Sequence, residues 1–124
     1  MHRMVTESNK EALYEKLLLD LRRGVLMLSV LSQLDNEQYG YSLKQSLDAK
    51  GMEINEGTLY PLLRRLESQG LLTSEWRVID DARPRRYYKM SSEGKTIFAN
   101  LTQEWQGLVT VMNQLLGLTI GDEK

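Results

Sequence analysis

The chain has no cysteine, one histidine, one phenylalanine and two prolines among its 124 residues. Without cysteine there is no disulfide and no thiolate metal site, which fits a reducing compartment. The histidine, His2, sits in a polar terminus, MHRMVTESNKE, where neither metal binding nor general-base work is expected. No apolar run approaches the roughly 20 residues needed to span a bilayer. The same terminus lacks the apolar centre of a secretory signal, so a cytoplasmic protein is expected. Catalytic signals are missing as well: there is no nucleophile–base pair, no glycine-rich phosphate loop and no clustered ligand set. Glu53 and Glu56 have no acid–base partner, and Asp80-Asp81 reads as a turn. The expectation is a non-enzyme with no metal and no cofactor.

What is present is an uneven charge. The net charge is −1, yet between Tyr60 and Lys89 seven basic residues stand against four acids, a local +3 that leaves −4 for the remainder. The basic set is Arg64, Arg65, Arg77, Arg83, Arg85, Arg86 and Lys89. A basic face on an otherwise acidic protein is the footprint of local phosphate binding. The apolar share, 41%, is ordinary. The length suits one domain, or one domain with an oligomerisation arm.

Residues 54–72, INEGTLYPLLRRLESQGLL, organise the rest. Leu59, Leu62, Leu63 and Leu66 recur at i, i+3, i+4 and i+7, one face of a helix. Thr58, Tyr60, Arg64, Arg65 and Ser68 occupy the other side, a set suited to a polyanion. Asn55 is placed as an N-cap with Ile54 and Leu59 as a hydrophobic staple across it. Gly70 stands where a left-handed residue ends a helix. Pro61 would cost least if the first turn began near Thr58.

Upstream, residues 11–23 carry a leucine stripe (Leu13, Leu17, Leu18, Leu21), and Gly24 leaves open whether that helix continues into residues 25–34. Residues 25–34 are apolar almost all round, as in a helix buried between layers. A short helix follows Tyr39-Gly40-Tyr41, with Leu43 and Leu47 one turn apart. Beyond residue 72 the period changes to 2. A strand with Trp76 on its apolar side, packed under the hairpin, turns at Asp80 to Pro84 and returns over residues 85–90 with Tyr88 and Met90 on one face. Ser91 or Ser92 then caps a helix reaching about Leu116. Phe98, Leu101, Trp105, Leu108, Met112 and Leu115 form a heptad seam on it, flanked by Ile97, Val109 and Leu116. Two apolar rows exceed what a small domain covers, and a partner helix from a second chain is the economical answer.

The expected fold is mainly α with a two-stranded antiparallel wing. It is a winged helix-turn-helix at residues 21–90, preceded by an N-terminal helix within residues 1–20 and followed by a dimerisation helix and frayed tail at residues 91–124. The N-terminal half of the 59–66 helix would enter a major groove. Arg83-Pro84-Arg85-Arg86 would lie against the backbone or in the minor groove. The competing reading from another class is a protein-interaction or adaptor module whose arginine wing meets an acidic partner.

Tyr39-Gly40-Tyr41, the string GTLYPLLRRLE at residues 57–67, Gly70-Leu71-Leu72, Glu75-Trp76 and RPRRYY at residues 83–88 together resemble the PadR family of transcriptional regulators. The resemblance covers about residues 21–116. It implies a homodimeric winged-helix repressor that binds a dyad-symmetric operator in double-stranded DNA and is released by a small effector. The candidate DNA contacts are Tyr41, Thr58, Tyr60, Arg64, Arg83, Arg85, Arg86 and Lys89. The resemblance also makes the last helix the dimer element and brings the N-terminal helix to the same interface. In one branch resembling this family, a tryptophan pair at the position of Trp105 sandwiches flat aromatic drugs in a pore between subunits. Trp105 and Met112 are therefore candidate effector contacts, by stacking and an adaptable wall. The competing reading makes both ordinary seam residues.

Overall fold

The computed structural model describes residues 7–118, so the polar terminus with His2 and the tail beyond Leu118 lie outside the described residues. The element order is α1 (Glu7–Ser32), β1 (Gln38–Tyr39), α2 (Gly40–Ala49), α3 (Glu56–Ser68), β2 (Leu72–Arg77), β3 (Arg85–Met90) and α4 (Ser92–Leu116). The chain is mainly helical, with a small antiparallel sheet of order β1-β3-β2. The sheet thus has a third strand beside the expected hairpin. Gln38 pairs with Tyr88 and Tyr39 with Tyr87, covering the edge of β3 that the hairpin alone would leave open.

α1 is one continuous helix of 26 residues, passing through Gly24 without a break. Its C-terminal half supplies Leu26, Val30 and Leu31 to the core, while Val25, Met27 and Leu28 of the same apolar run are only half-buried, so one face of it is fully covered and not the whole circumference. Further toward its N-terminus Leu13, Leu17 and Leu21 are exposed. The core continues through Leu34, Leu43, Leu47, Ile54, the four α3 leucines, Leu72, Tyr88 and Met90. Burying each leucine contributes about 2 kcal/mol, so α3 is held chiefly by its apolar stripe.

Helix ends follow the local chemistry. The Asn55 side chain accepts from the Thr58 amide at 2.9 Å, and Ser91 Oγ accepts from Gly94 N at 2.9 Å. Gly70, at φ +84°, takes the left-handed conformation that turns α3 into β2. α3 starts at Glu56 rather than near Thr58, which makes Pro61 its sixth residue. The proline removes the bond to the carbonyl of Gly57, an exposed residue that water can satisfy.

α1, the α3–β2 turn, β3 and α4 meet at one junction. Met90 N donates to Leu34 O at 2.8 Å, and Ser91 N donates to Leu71 O at 3.0 Å. Gly94 is buried against the Leu71 carbonyl so closely that a Cβ would collide with it. Gly107, further along α4, has open space around it. Gly94→Ala is therefore expected to destabilise the protein by at least about 2 kcal/mol. Gly107→Ala should instead raise stability by up to about 1 kcal/mol. Urea unfolding midpoints check both; equal effects of the two substitutions would contradict the close approach at Gly94.

Candidate nucleic-acid interface

The turn that launches α3 is tied from two sides. Arg22 of α1 donates from Nη2 to the Glu53 carbonyl at 2.8 Å. Asp48 of α2 accepts from Ile54 N at 3.3 Å and pairs with Lys44 at 2.7 Å. The hydrogen bond from Lys44 holds the Asp48 carboxyl below its ordinary range, and the partner's ammonium is raised in turn.

α2 also meets α3 through Gly40, where a Cβ would run into the Tyr60 ring. Tyr60 is consequently half-buried, and burial, followed by the charge of Glu56, raises its phenol above the ordinary value. It is a neutral hydroxyl at physiological pH. On the open side of α3, Thr58, Arg64 and Arg65 are exposed. Tyr41, at the start of α2, is exposed as well. These residues lie on the helix-turn-helix pair, as the sequence places them.

The wing divides its basic residues between two faces. Arg85 and Lys89 share the face of Tyr87, opposite Arg77 and Thr73. There Arg85 lies 4.4 Å from the Tyr39 ring centroid and Arg77 lies 4.9 Å from that of Tyr87. Arg77 is committed to Glu37 at 2.6 Å and Glu75 at 3.3 Å, and these bonds raise its already high pKa. Arg86 points to the other face, toward α3. Its Nη2 donates to Glu67 Oε1 at 2.8 Å and its Nε to Ser74 Oγ at 2.9 Å. Ser74 Oγ donates to Glu67 Oε2 at 2.6 Å, closing a ring of three side chains. Arg83 is exposed at the turn, where Asp80 and Asp81 adopt positive φ.

Trp76 does not pack under the wing. It is 64% exposed, with the Arg86 guanidinium 5.7 Å from its ring centroid. Strand alternation correctly puts it on the face of Leu72, but the core ends at Leu72 and Tyr88, and α3 does not extend beneath the distal hairpin. Glu67, Ser74 and Gly40 carry no sequence signal of the kind used for caps and stripes. Their roles come from pairings between separate elements.

The seam of α4 divides too. Phe98 and Leu101 pack on the core of their own chain, whereas Trp105, Leu108, Met112 and Leu115 are exposed. Trp105 borders two apolar hollows between α1 and α4. One, of about 360 Å³, is lined by Val25, Leu28, Met52 and Phe98; the other, of about 300 Å³, by Leu21, Met27, Leu101 and Leu108. Met112 lines neither of these two hollows.

The contact between α2 and α3 is testable in the free protein. Gly40→Ala is expected to cost about 1–3 kcal/mol by overpacking against Tyr60. In a Tyr60→Ala background most of that cost should vanish, because the obstructing ring is gone. A double-mutant cycle by denaturant unfolding measures the coupling, and strictly additive losses would exclude the contact.

The geometry agrees with known proteins. A model of the transcriptional regulator PadR-like family matches residues 27–100. The chain is 39% identical over 99 residues to the transcriptional regulator Rv3488 of Mycobacterium tuberculosis, covering 79% of this chain and 89% of that protein. A PadR family transcriptional regulator from Eggerthella lenta superposes with a TM-score of 0.76 at 43% identity, covering 86% of this chain and 95% of that one. A PadR-like transcriptional regulator from Bacillus cereus gives a TM-score of 0.69 at 29% identity, covering 78% and 96%. The four-helix winged architecture, the family match and these relatives lead to one conclusion: the chain belongs to the PadR-like family of transcriptional regulators, which act by binding DNA and not as enzymes.

Proposed function

We propose that the protein is a cytoplasmic homodimeric repressor that binds a dyad-symmetric operator and is released by a small aromatic ligand. The observation that carries the DNA part is the pattern of charge pairing. Arg77 and Arg86 are bound to acids, whereas Arg64, Arg83, Arg85 and Lys89 are exposed and have no acidic partner among the described residues. The local positive charge is thus concentrated on α3 and the outer wing. Thr58 and Arg64 of α3 would read the major groove, with Tyr41 and Tyr60 beside them on phosphate. Two copies of α3 would sit one duplex turn, about 34 Å, apart.

Support for the dimer comes from what the single chain leaves uncovered. Leu108, Met112 and Leu115 of α4, with Leu13, Leu17 and Leu21 of α1, form long apolar faces that water would otherwise hydrate. Support for the ligand comes from Trp105, which borders two hollows at the small end of the range for ligand sites, about 300–1,000 Å³.

For the best duplex selected from a random pool, the affinity should fall steeply with salt. Arg83→Ala and Arg85→Ala should each flatten the slope of log K against log salt by about 1 per subunit and weaken all sequences alike. Thr58→Ala should instead alter which duplexes are preferred. A salt-independent affinity, or a pool in which no sequence is enriched, would sink the operator reading in favour of an adaptor. For the ligand, planar cationic or phenolic compounds should quench tryptophan emission, and the effect should be lost in Trp105→Phe. Because Trp76 is exposed and emits too, equal quenching of both proteins would count against a site at Trp105.

A further inference from the structure

We propose that Glu67 is a positioning residue for DNA binding, setting the wing against the recognition helix through Arg86 and Ser74. The inference rests on the DNA-binding reading above. A carboxylate on a recognition helix repels a polyanion, so its presence there needs a compensating role. Glu67 stands one residue before the end of α3, and both its oxygens are occupied by the wing, one by Ser74 of β2 and one by Arg86 of β3. The Arg86 and Glu67 side chains are only 35% and 27% exposed, so the pair is partly shielded from water. The guanidinium also lies 5.5 Å from the Tyr88 ring centroid, on the side of the core. Arg86 is thereby held within the protein instead of projecting to phosphate.

The ring of three is the polar link between α3 and the distal part of the hairpin. Below it, Leu72, Tyr88 and Met90 fasten the wing to the core. Above it, Trp76, Val78 and Ile79 are exposed, so on the side of α3 nothing apolar holds the distal hairpin; its other face is tied to the β1 segment by Arg77 on Glu37 and Arg85 on the Tyr39 ring. Charge-assisted hydrogen bonds have defined directions; the two that reach the Glu67 carboxylate from β2 and β3 set the hairpin's angle on the side of α3, and the third, between Arg86 and Ser74, locks the two donors together. A wing set this way presents Arg83 and Arg85 at a constant distance from Thr58 and Arg64.

Simple electrostatics and positioning predict opposite signs for one substitution. Glu67→Gln removes a negative charge next to DNA, which by charge alone strengthens binding. Loss of the positioning contact weakens it, by about tenfold, the scale of one charge-assisted hydrogen bond. The full chain is titrated with its best selected duplex across a range of salt. Expected are weaker binding by Glu67→Gln, and weaker binding by Arg86→Gln with an unchanged salt slope. The double variant should lose no more than the worse single variant. Binding by Glu67→Gln equal to or tighter than wild type overturns the proposal. So does a slope flattened by about 0.9 per subunit in Arg86→Gln, the signature of a lost phosphate contact. Amide hydrogen exchange of the DNA-free protein supplies an arm independent of the duplex. Amides of β2 and β3 beyond Ser74 should exchange several-fold faster in Glu67→Gln, with those of Leu63 and Leu66 unaffected; unaltered exchange in the distal hairpin also overturns the proposal. A wild-type protein that selects no duplex removes the operator reading, and the exchange arm then decides the clasp alone.

Discussion

The carbonyl of Leu71 is the point on which the arrangement of this protein turns. It accepts the Ser91 amide, and Gly94 lies against it. Leu71 directly follows the left-handed Gly70 that ends α3, while Ser91 and Gly94 begin α4. The adjoining Met90 amide reaches Leu34 at the end of α1. The third helix, the wing and the final helix are therefore assembled around a few backbone atoms, and backbone cannot repack as side chains can. A glycine at position 94 is the only residue that permits this approach without displacement. Ser91 adds a second bond there, donating from Oγ to Gly70 O at 2.7 Å.

Features written in local chemistry were legible in the sequence. The α3 stripe, the Asn55 and Ser91 caps and the stop at Gly70 each depend on residues within a turn of one another, and each lies where spacing puts it. The final helix ends at Leu116 with Gly117 left-handed, for the same reason. What escaped depends on distant parts of the chain. β1 is two residues long and exists because β3 offers it an edge, so no periodicity announces it. Trp76 shows the limit of alternation: the pattern determines the side of a strand but not whether anything covers that side. Pro61 invited a later helix start, yet Asn55 capping and an exposed Gly57 allow the earlier one.

The charge distribution illustrates the same division. Counting residues finds the basic stretch but treats its arginines as equivalent. The strand period separates Arg85 from its neighbour Arg86, one outward and one toward α3. Only the fold shows that Glu37, from the loop before β1, and Glu67, from α3, engage Arg77 and Arg86. The set of candidate contacts is accordingly uneven. Arg64, Arg83 and Lys89 stand exposed, Tyr60 is partly covered by α2, and Arg86 is enclosed by aromatic rings and acid.

Gly94 lies at the third position of α4, and the helix continues for 22 residues past it, to Leu116. Phe98 and Leu101 hold the first turns of that length on the core, so the part of α4 without cover begins beyond Leu101 and runs 15 residues to Leu116. At 1.5 Å per residue that is an arm of about 22 Å, and a tilt of about five degrees at its root would carry the far end through roughly 2 Å. Two apolar side chains stand between that arm and Gly94, so such a tilt would be absorbed by packing that can adjust before it met backbone that cannot.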